Sequence, residues 1–466
     1  MRVISTAVLL LVVLVSLAAE AQSRPQQTVS SSQGRVVAEV PAVLPERQRV
    51  DAVNRMLEER LETLLPQLMR ESGIDMWLII NREYAEDPVY LTLVPEPVFA
   101  ARRTTMLVLY DRGPGEGIER LTVSRYPLRG FYESAWEGGS NEEQWVRLAQ
   151  IIAERSPKRI GINTSRRWPF GDGLTHSLHT SLLEALSAIP AQDGQTPLAS
   201  RLVSAEELAV RWLETRTSLE LEVYPQIVAL ARAVIGEAFS EKVITPGVTT
   251  TDDVAWYIRQ RYADLGLPIW FMPYVNIQRH GTPYPDDEPF YGASGVIMRG
   301  DVLHTDVGIT YLRLNTDTQE MGYVLRAGET EVPPGLVRAL EIGNRWQDLL
   351  TAQFRTGRTG NEVLASTLEI LGREKIAATV YTHPLGFHGH GAGPTIGMWD
   401  NQGPTPGQGD WAIRPSTAYA IEGNVRVPVP EWDGQRVQIK LEQSAIFDGT
   451  EVRYLAGRQT RWHVVR

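Results

Sequence analysis

Four carboxylates and a group of histidines in the second half of this 466-residue chain are the residues best suited to chemistry. Asp306 and Asp317 lie in His304-Thr-Asp-Val-Gly-Ile-Thr-Tyr-Leu-Arg-Leu-Asn-Thr-Asp317. His388-Gly-His390-Gly-Ala-Gly393 follows, its glycines allowing close backbone approach to a ligand. Glu422 comes after Tyr419-Ala-Ile, and Glu442 ends the alternating run Val437-Gln-Ile-Lys-Leu-Glu442. Four carboxylates and one imidazole suit two hard or borderline divalent ions that share bridging carboxylates. Such a pair generates hydroxide near neutral pH and polarises a carbonyl. Taken singly, an Asp in a hairpin is usually a turn former and a Glu at a strand end a solvated residue. Their combination in one region is what suggests a site.

These residues need elements to hold them. The flanks of Asp306 and Asp317 alternate and the centre can turn, which predicts two paired strands with one carboxylate each. Upstream, Thr217-Ser-Leu-Glu220 fits a capping box that opens a helix to about Lys242, bent or restarted at Pro225. Gly247-Val-Thr249 and Asp252 recur as Gly357-Arg-Thr359 and Glu362 at a constant offset of 110, which suggests a duplicated helix–turn–helix unit. Nearer the N-terminus, Asn54–Arg70 has helical apolar spacing. Met76–Ile80, Met106–Tyr110 and Arg159–Asn163 read as buried strands, giving an α/β region that ends near residue 205. Gly113, Gly115 and Gly117 mark a hairpin rather than a nucleotide loop, because a strand (Arg120–Ser124) follows where a phosphate-binding helix would be needed.

Composition narrows the classes further. With 56 acidic against 46 basic residues and a net charge of -10, the chain has no electrostatic footprint for nucleic acid. The absence of cysteine excludes thiolate zinc sites, iron–sulfur clusters, cysteine nucleophiles and disulfides. Any metal must be held by His, Asp, Glu or carbonyls. Residues 1–21 carry Arg2, an apolar run from Val8 to Leu17 and Ala19-Glu-Ala21, the pattern of a cleavable signal peptide. That predicts a secreted or periplasmic protein with no membrane span after cleavage. Residues 22–47 read as a flexible linker, 48–205 as a first domain and 206–466 as a second.

The order Asp-x-Gly…Asp…His-Gly-x-Gly…Glu…Glu resembles the M24 metallopeptidase family, which includes methionine aminopeptidases, Xaa-Pro aminopeptidases and prolidases. The resemblance covers roughly residues 206–450. It implies an α/β (α+β) fold, with a pita-bread catalytic domain preceded by a smaller creatinase-like α/β domain. It also implies Asp306, Asp317, His390, Glu422 and Glu442 as the ligands of two divalent ions, Mn²⁺ foremost with Co²⁺ or Zn²⁺ as alternatives. His390 is preferred to His388 because Gly389 precedes it, as Gly usually does in the family. Glu422 would also exchange protons with the attacking hydroxide, and His280 would correspond to an upstream substrate histidine. The family's second His, seven residues after the ligand, would fall at Gly397; His388 or His383 would have to replace it. Prolidase-type enzymes carry Thr-Arg-Thr after the second Asp, where this chain has Thr318-Gln319. The resemblance thus implies an aminopeptidase or dipeptidase for short peptides, with Xaa-Pro bonds as candidates and a homodimer as the assembly. A metal-free creatinase-like C–N hydrolase and a non-catalytic peptide-binding protein are the alternatives.

Overall fold

The computed structural model describes residues 40–466 apart from 129, 191–195, 284 and 286–291. The expected signal peptide and residues 22–39 of the expected linker lie outside the described residues. Two sheets organise the rest.

The first sheet has six strands in the order β4-β3-β2-β1-β5-β6. These are β1 Met76–Arg82, β2 Thr104–Asp111, β3 Ile118–Val123, β4 Glu133–Ser134, β5 Ile160–Ile162 and β6 Leu202–Ser204. The run Met76-Trp-Leu-Ile-Ile80 is apolar throughout because its strand is central and covered on both faces. Met76, Leu78 and Ile80 pack with the helices Asn141–Arg155 and His176–Ser187. Trp77 and Ile79 point the other way, into a core shared with the helix Leu65–Ser72. That core also takes Leu208, Ala209, Trp212 and Leu213 of the helix Glu206–Glu214. The helix that opens the second expected domain is therefore packed on the first sheet. The glycines at 113, 115 and 117 all have positive φ and join β2 to β3, as the hairpin reading expects.

The second sheet has nine strands: β7 Tyr274–Gln278, β8 Val302–Val307, β11 Thr318–Val324, β12 Ala378–Val380, β13 His383–Leu385, β14 Thr417–Pro428, β15 Arg436–Phe447, β16 Val452–Tyr454 and β17 His463–Val465. A separate hairpin, β9 Thr310–Tyr311 and β10 Leu314–Asn315, sits between β8 and β11. Alternation decides which face carries chemistry. Val275, Ile277, Leu303 and Val307 pack beneath the helices Ser218–Ala238 and Thr251–Asp264. Ile421, Val425, Ile439 and Leu441 pack beneath Pro334–Thr351 and Gly360–Glu374. The intervening residues, among them Asp306, Glu422, Lys440 and Glu442, are thereby turned to the opposite side.

The duplicated unit is real in structure, with one shift of register. Thr250 caps the first turn with Asp253, and Thr359 caps the second with Glu362, an offset of 109 rather than the expected 110. Gly247 and Gly357 keep the 110 spacing, both with left-handed φ. The first copy has one extra residue between glycine and cap. Each turn also docks on a distant segment, Gly247 N–H donating to Ile297 O and Gly357 N–H to Ile413 O. The capping box at Thr217 and Glu220 forms as expected, and the helix it opens runs through Pro225 to Ala238.

Candidate metal centre

Strand register lines up the polar residues without any loop to place them. Tyr274 stands opposite Asp306, Asp306 opposite Gln319, Gln319 opposite Glu442, and Glu442 opposite Glu422. One row across five strands therefore carries three of the four carboxylates. Asp317 enters immediately before β11, returned there by the β9–β10 hairpin, whose turn residues Leu312 and Arg313 are left-handed. This confirms the paired-strand geometry read from the flanks of the two aspartates. β13 pairs with β14 so that His383 lies opposite Ala420, two residues from Glu422.

His383 is the imidazole among the carboxylates. Its Nε2 lies 3.6 Å from Asp317 Oδ2, 3.6 Å from Glu422 Oε2 and 3.8 Å from Glu442 Oε1. Donor atoms sharing one ion at bond lengths near 2.1 Å stand about 3.0–3.5 Å apart, so these separations suit ligands drawn slightly inward. Three overlapping groups have ligand atoms within 4.8 Å of one another: Asp317, His383 and His390; His383, Glu422 and Glu442; and Asp306, Asp317 and Glu442. Asp317, His383 and Glu442 belong to two groups each, an arrangement for two adjacent ions.

The electrostatics support a cation at this position. His383 Nε2, Asp306 Oδ1 and both Glu442 carboxylate oxygens are buried without a hydrogen-bond partner. Such groups are costly to bury unless something binds them. Burial, then mutual repulsion among the carboxylates, holds Asp306, Asp317 and Glu442 well above the ordinary carboxylate range. Glu422 is pushed up to about 8 by burial, against the opposing hydrogen bond from Gln319. His383 is pushed down to about 4 by burial. Its Nδ1 lies 3.0 Å from Pro384 O, so that nitrogen donates and Nε2 keeps its lone pair for the cluster. Oxygen and nitrogen donors of this kind fit divalent Mn, Co or Zn.

Of the other expected histidines, His390 borders the cluster, and His388 and His280 lie away from it. His390 is exposed beside the cluster, its ring 4.8 Å from that of His383 and its Nε2 3.4 Å from the Tyr381 hydroxyl. His388 turns away from the centre, its ring tilted against that of Phe170 at 4.4 Å; burial and then the Arg216 charge push it down to about 4. His280 stacks on Trp432, with Nε2 3.0 Å from Asp433 Oδ2. Because Tyr274 is the residue opposite Asp306, the strand's run to Gln278 carries the following turn, with His280, more than about 13 Å from Asp306. A signal for His383 was present in the sequence: His383 and His390 are seven residues apart, the spacing sought at Gly397. The His-Gly-x-Gly pattern singles out His390, which joins Asp317 and His383 in one of the three groups, while His383 belongs to two. Gly397 itself has φ +72, and a Cβ there would meet Val380 O at 2.3 Å, so no side chain fits.

Aromatic rings frame the opening. Tyr274, Tyr381 and Trp399 line a cavity of about 310 Å³ together with Asp306, Glu422 and Lys440. Trp411 instead packs edge-on against Trp168, and Trp432 is buried. Trp270 is wedged between two glycines: a Cβ on Gly308 would lie 2.1 Å, and one on Gly389 2.2 Å, from its ring. Its ring meets His390 edge-on at 5.2 Å. Gly389→Ala is therefore expected to displace Trp270 and with it His390 while leaving Mn²⁺ binding intact; a crystal structure of the variant beside calorimetry checks this.

No family model matches the sequence, and no curated protein matches it. Solved structures do match in three dimensions. An X-Pro aminopeptidase from Thermotoga maritima superposes with TM-score 0.60 at 16% identity, covering 86% of this chain and 100% of that one. An Xaa-Pro dipeptidase from Bacillus anthracis gives TM-score 0.55 at 15% identity, over 90% and 99%. A dipeptidase from Pyrococcus horikoshii gives 0.55 at 17%, over 88% and 100%. Over nearly its whole described length, this chain has the mixed α/β fold of these peptidases, the pita-bread architecture that the carboxylate order implied.

Proposed function

We propose that the chain is a metal-dependent peptidase of the M24 type, an aminopeptidase or dipeptidase for short peptides, with Xaa-Pro bonds as the leading candidates. The observation that carries this is the set of converging, unpartnered donor atoms at His383, Asp306 and Glu442, completed by Asp317 and Glu422. Asp306, Asp317, His383, Glu422 and Glu442 would hold two divalent ions, Mn²⁺ foremost. When bound, the ions would supply Lewis-acid polarisation of the scissile carbonyl and an activated water.

The chain's own groups supply the rest. Glu422 has Oε1 bonded to Gln319 and Oε2 toward His383, so one oxygen remains to take a proton from the attacking water and return it to the leaving amine. His390 and Tyr381 stand at the edge of the cluster, where an N–H or O–H can donate to the oxygen that gains charge at the carbonyl. Tyr274 and Trp399 present exposed rings beside the cavity, suited to an apolar or pyrrolidine ring. The apolar run Val8–Leu17 supports export of the mature chain. No helix of the described residues is long and apolar enough to cross a membrane.

A dipeptide panel assayed with added Mn²⁺, Co²⁺ or Zn²⁺ and then with chelator tests the reading. Turnover that needs metal, highest on Xaa-Pro substrates, is expected. Turnover of a guanidino compound that survives chelation, or tight metal binding without turnover of any peptide, would overturn it.

A further inference from the structure

A line of buried side chains connects a fixed cation to Glu422. Lys440 Nζ lies 3.4 Å from Asn276 Oδ1. Asn276 Nδ2 lies 3.1 Å from His304 Nδ1, and His304 Nε2 lies 2.9 Å from Gln319 Oε1. Gln319 Nε2 then reaches Glu422 Oε1 at 2.6 Å. Register places the links: Asn276 stands directly opposite His304, and Gln319 opposite Asp306, two residues along from His304. Lys440, Asn276, His304 and Gln319 are each no more than 2% exposed.

The two ends of this line differ in kind. An ammonium donates and cannot accept, so it selects the Asn276 oxygen. The Asn276 amide must then offer N–H to His304 Nδ1, which makes Nδ1 the acceptor and leaves the proton on Nε2. That proton selects the Gln319 oxygen and turns the Gln319 N–H toward Glu422. Resting on the metallopeptidase reading, we infer that Lys440, Asn276, His304 and Gln319 form a one-way hydrogen-bond chain that positions Glu422, fixing Oε1 as an acceptor and aiming Oε2 into the metal centre. All four are positioning residues: Gln319 bonds Glu422 directly, and the other three act on it through the line behind. The chain accounts for a buried histidine two residues before Asp306. It also gives a role to Gln319, which stands where a prolidase-type run is absent. Buried amides, whose two ends could each face either way, acquire a single orientation because a donor-only ammonium stands at one end and an accepting carboxyl oxygen at the other.

Neutron diffraction from deuterated crystals of the wild type and of Gln319→Met reads the direction itself. Expected in both is a deuteron on His304 Nε2 and none on Nδ1, with the Asn276 amide nitrogen facing His304, because the cut lies downstream of both. Calorimetry with Mn²⁺ alone should show Gln319→Met weakened by roughly 10- to 100-fold, the usual effect of losing a partner that orients a ligand. Asn276→Asp, which can only accept, should move a deuteron onto His304 Nδ1. A deuteron on Nδ1 in the wild type overturns the proposal without any variant having to fold. So does a Gln319→Met protein with unchanged Mn²⁺ affinity, or an Asn276→Asp protein whose Nδ1 stays bare. Should the wild type bind no Mn²⁺, the metallopeptidase reading fails, and the deuteron positions still decide the direction of the chain.

Discussion

His383→Ala should remove most divalent-cation binding and lower peptide turnover by about 10³-fold or more, whereas His390→Ala should keep the ions and lose roughly 10²-fold in kcat. The contrast follows from placement. His383 Nε2 is buried, unpartnered and within 3.8 Å of three carboxylates. Deleting it removes a donor from two of the three ligand groups. His390 is exposed at the edge and shares in one group, so its removal takes away a donor to the developing oxyanion rather than the centre itself. Metal content measured beside kcat separates the two. Equal metal loss in both variants, or loss in His390→Ala alone, would return the ligand role to the residue that the glycine pattern suggested.

Stability of the metal-free protein should fall as pH rises through neutrality, the reverse of the usual behaviour of salt-bridged carboxylates. Glu422 is held at about 8, against an ordinary value of 4.5, and Asp306, Asp317 and Glu442 are also raised. A carboxyl whose folded-state value is raised keeps its proton longer in the native state than in the unfolded one. The native state then binds more protons, and the unfolding free energy decreases with pH. The relative stability is fully present below pH 4.5 for this group and is lost as pH rises toward 8. Asp87 and Glu214, raised by burial to about 6 and about 7, add to this slope, whereas His383, His388 and His390, lowered by burial to about 4, and His304, also lowered by burial, oppose it below their ordinary value of 6.5. The fall therefore shows cleanly only above neutrality. Thermal melting of the chelated protein should give a Tm at pH 8.5 lower than at pH 7.5 by on the order of a few degrees. Saturating Mn²⁺ should erase or reverse the slope, because cations replace the protons that quench the repulsion. A flat profile without metal would contradict the clustering of the four carboxylates.

Much of this architecture can be read from residue pattern, and the exceptions have physical causes. Alternation in Val437–Glu442 correctly separates the face beneath the helices from the face of the site. The alternating flanks of Asp306 and Asp317 correctly imply two paired strands joined by a turn. The capping motifs mark the helix starts, although their offset is 109 because a cap depends on local φ rather than on the glycine before it. His383 was harder to see. It stands in a three-residue strand whose partner, β14, begins 34 residues later, and only that pairing brings it beside Glu422. His280 shows the converse: its sequence position before Asp306 suggests the site, while extended chain carries it to the opposite end of the strand. His388 has its partner, Phe170, on a segment more than 200 residues upstream. Contacts of that range depend on how the two layers meet, which short-range pattern does not encode. The hydrogen-bond chain from Lys440 is invisible for the same reason, since it takes one residue from each of five strands.

Anomalous diffraction at the manganese edge, from crystals grown with Mn²⁺, tests the central claim most directly. The account predicts two peaks enclosed by Asp306, Asp317, His383, Glu422 and Glu442. Density for manganese only elsewhere on the protein, or none at all, would contradict it.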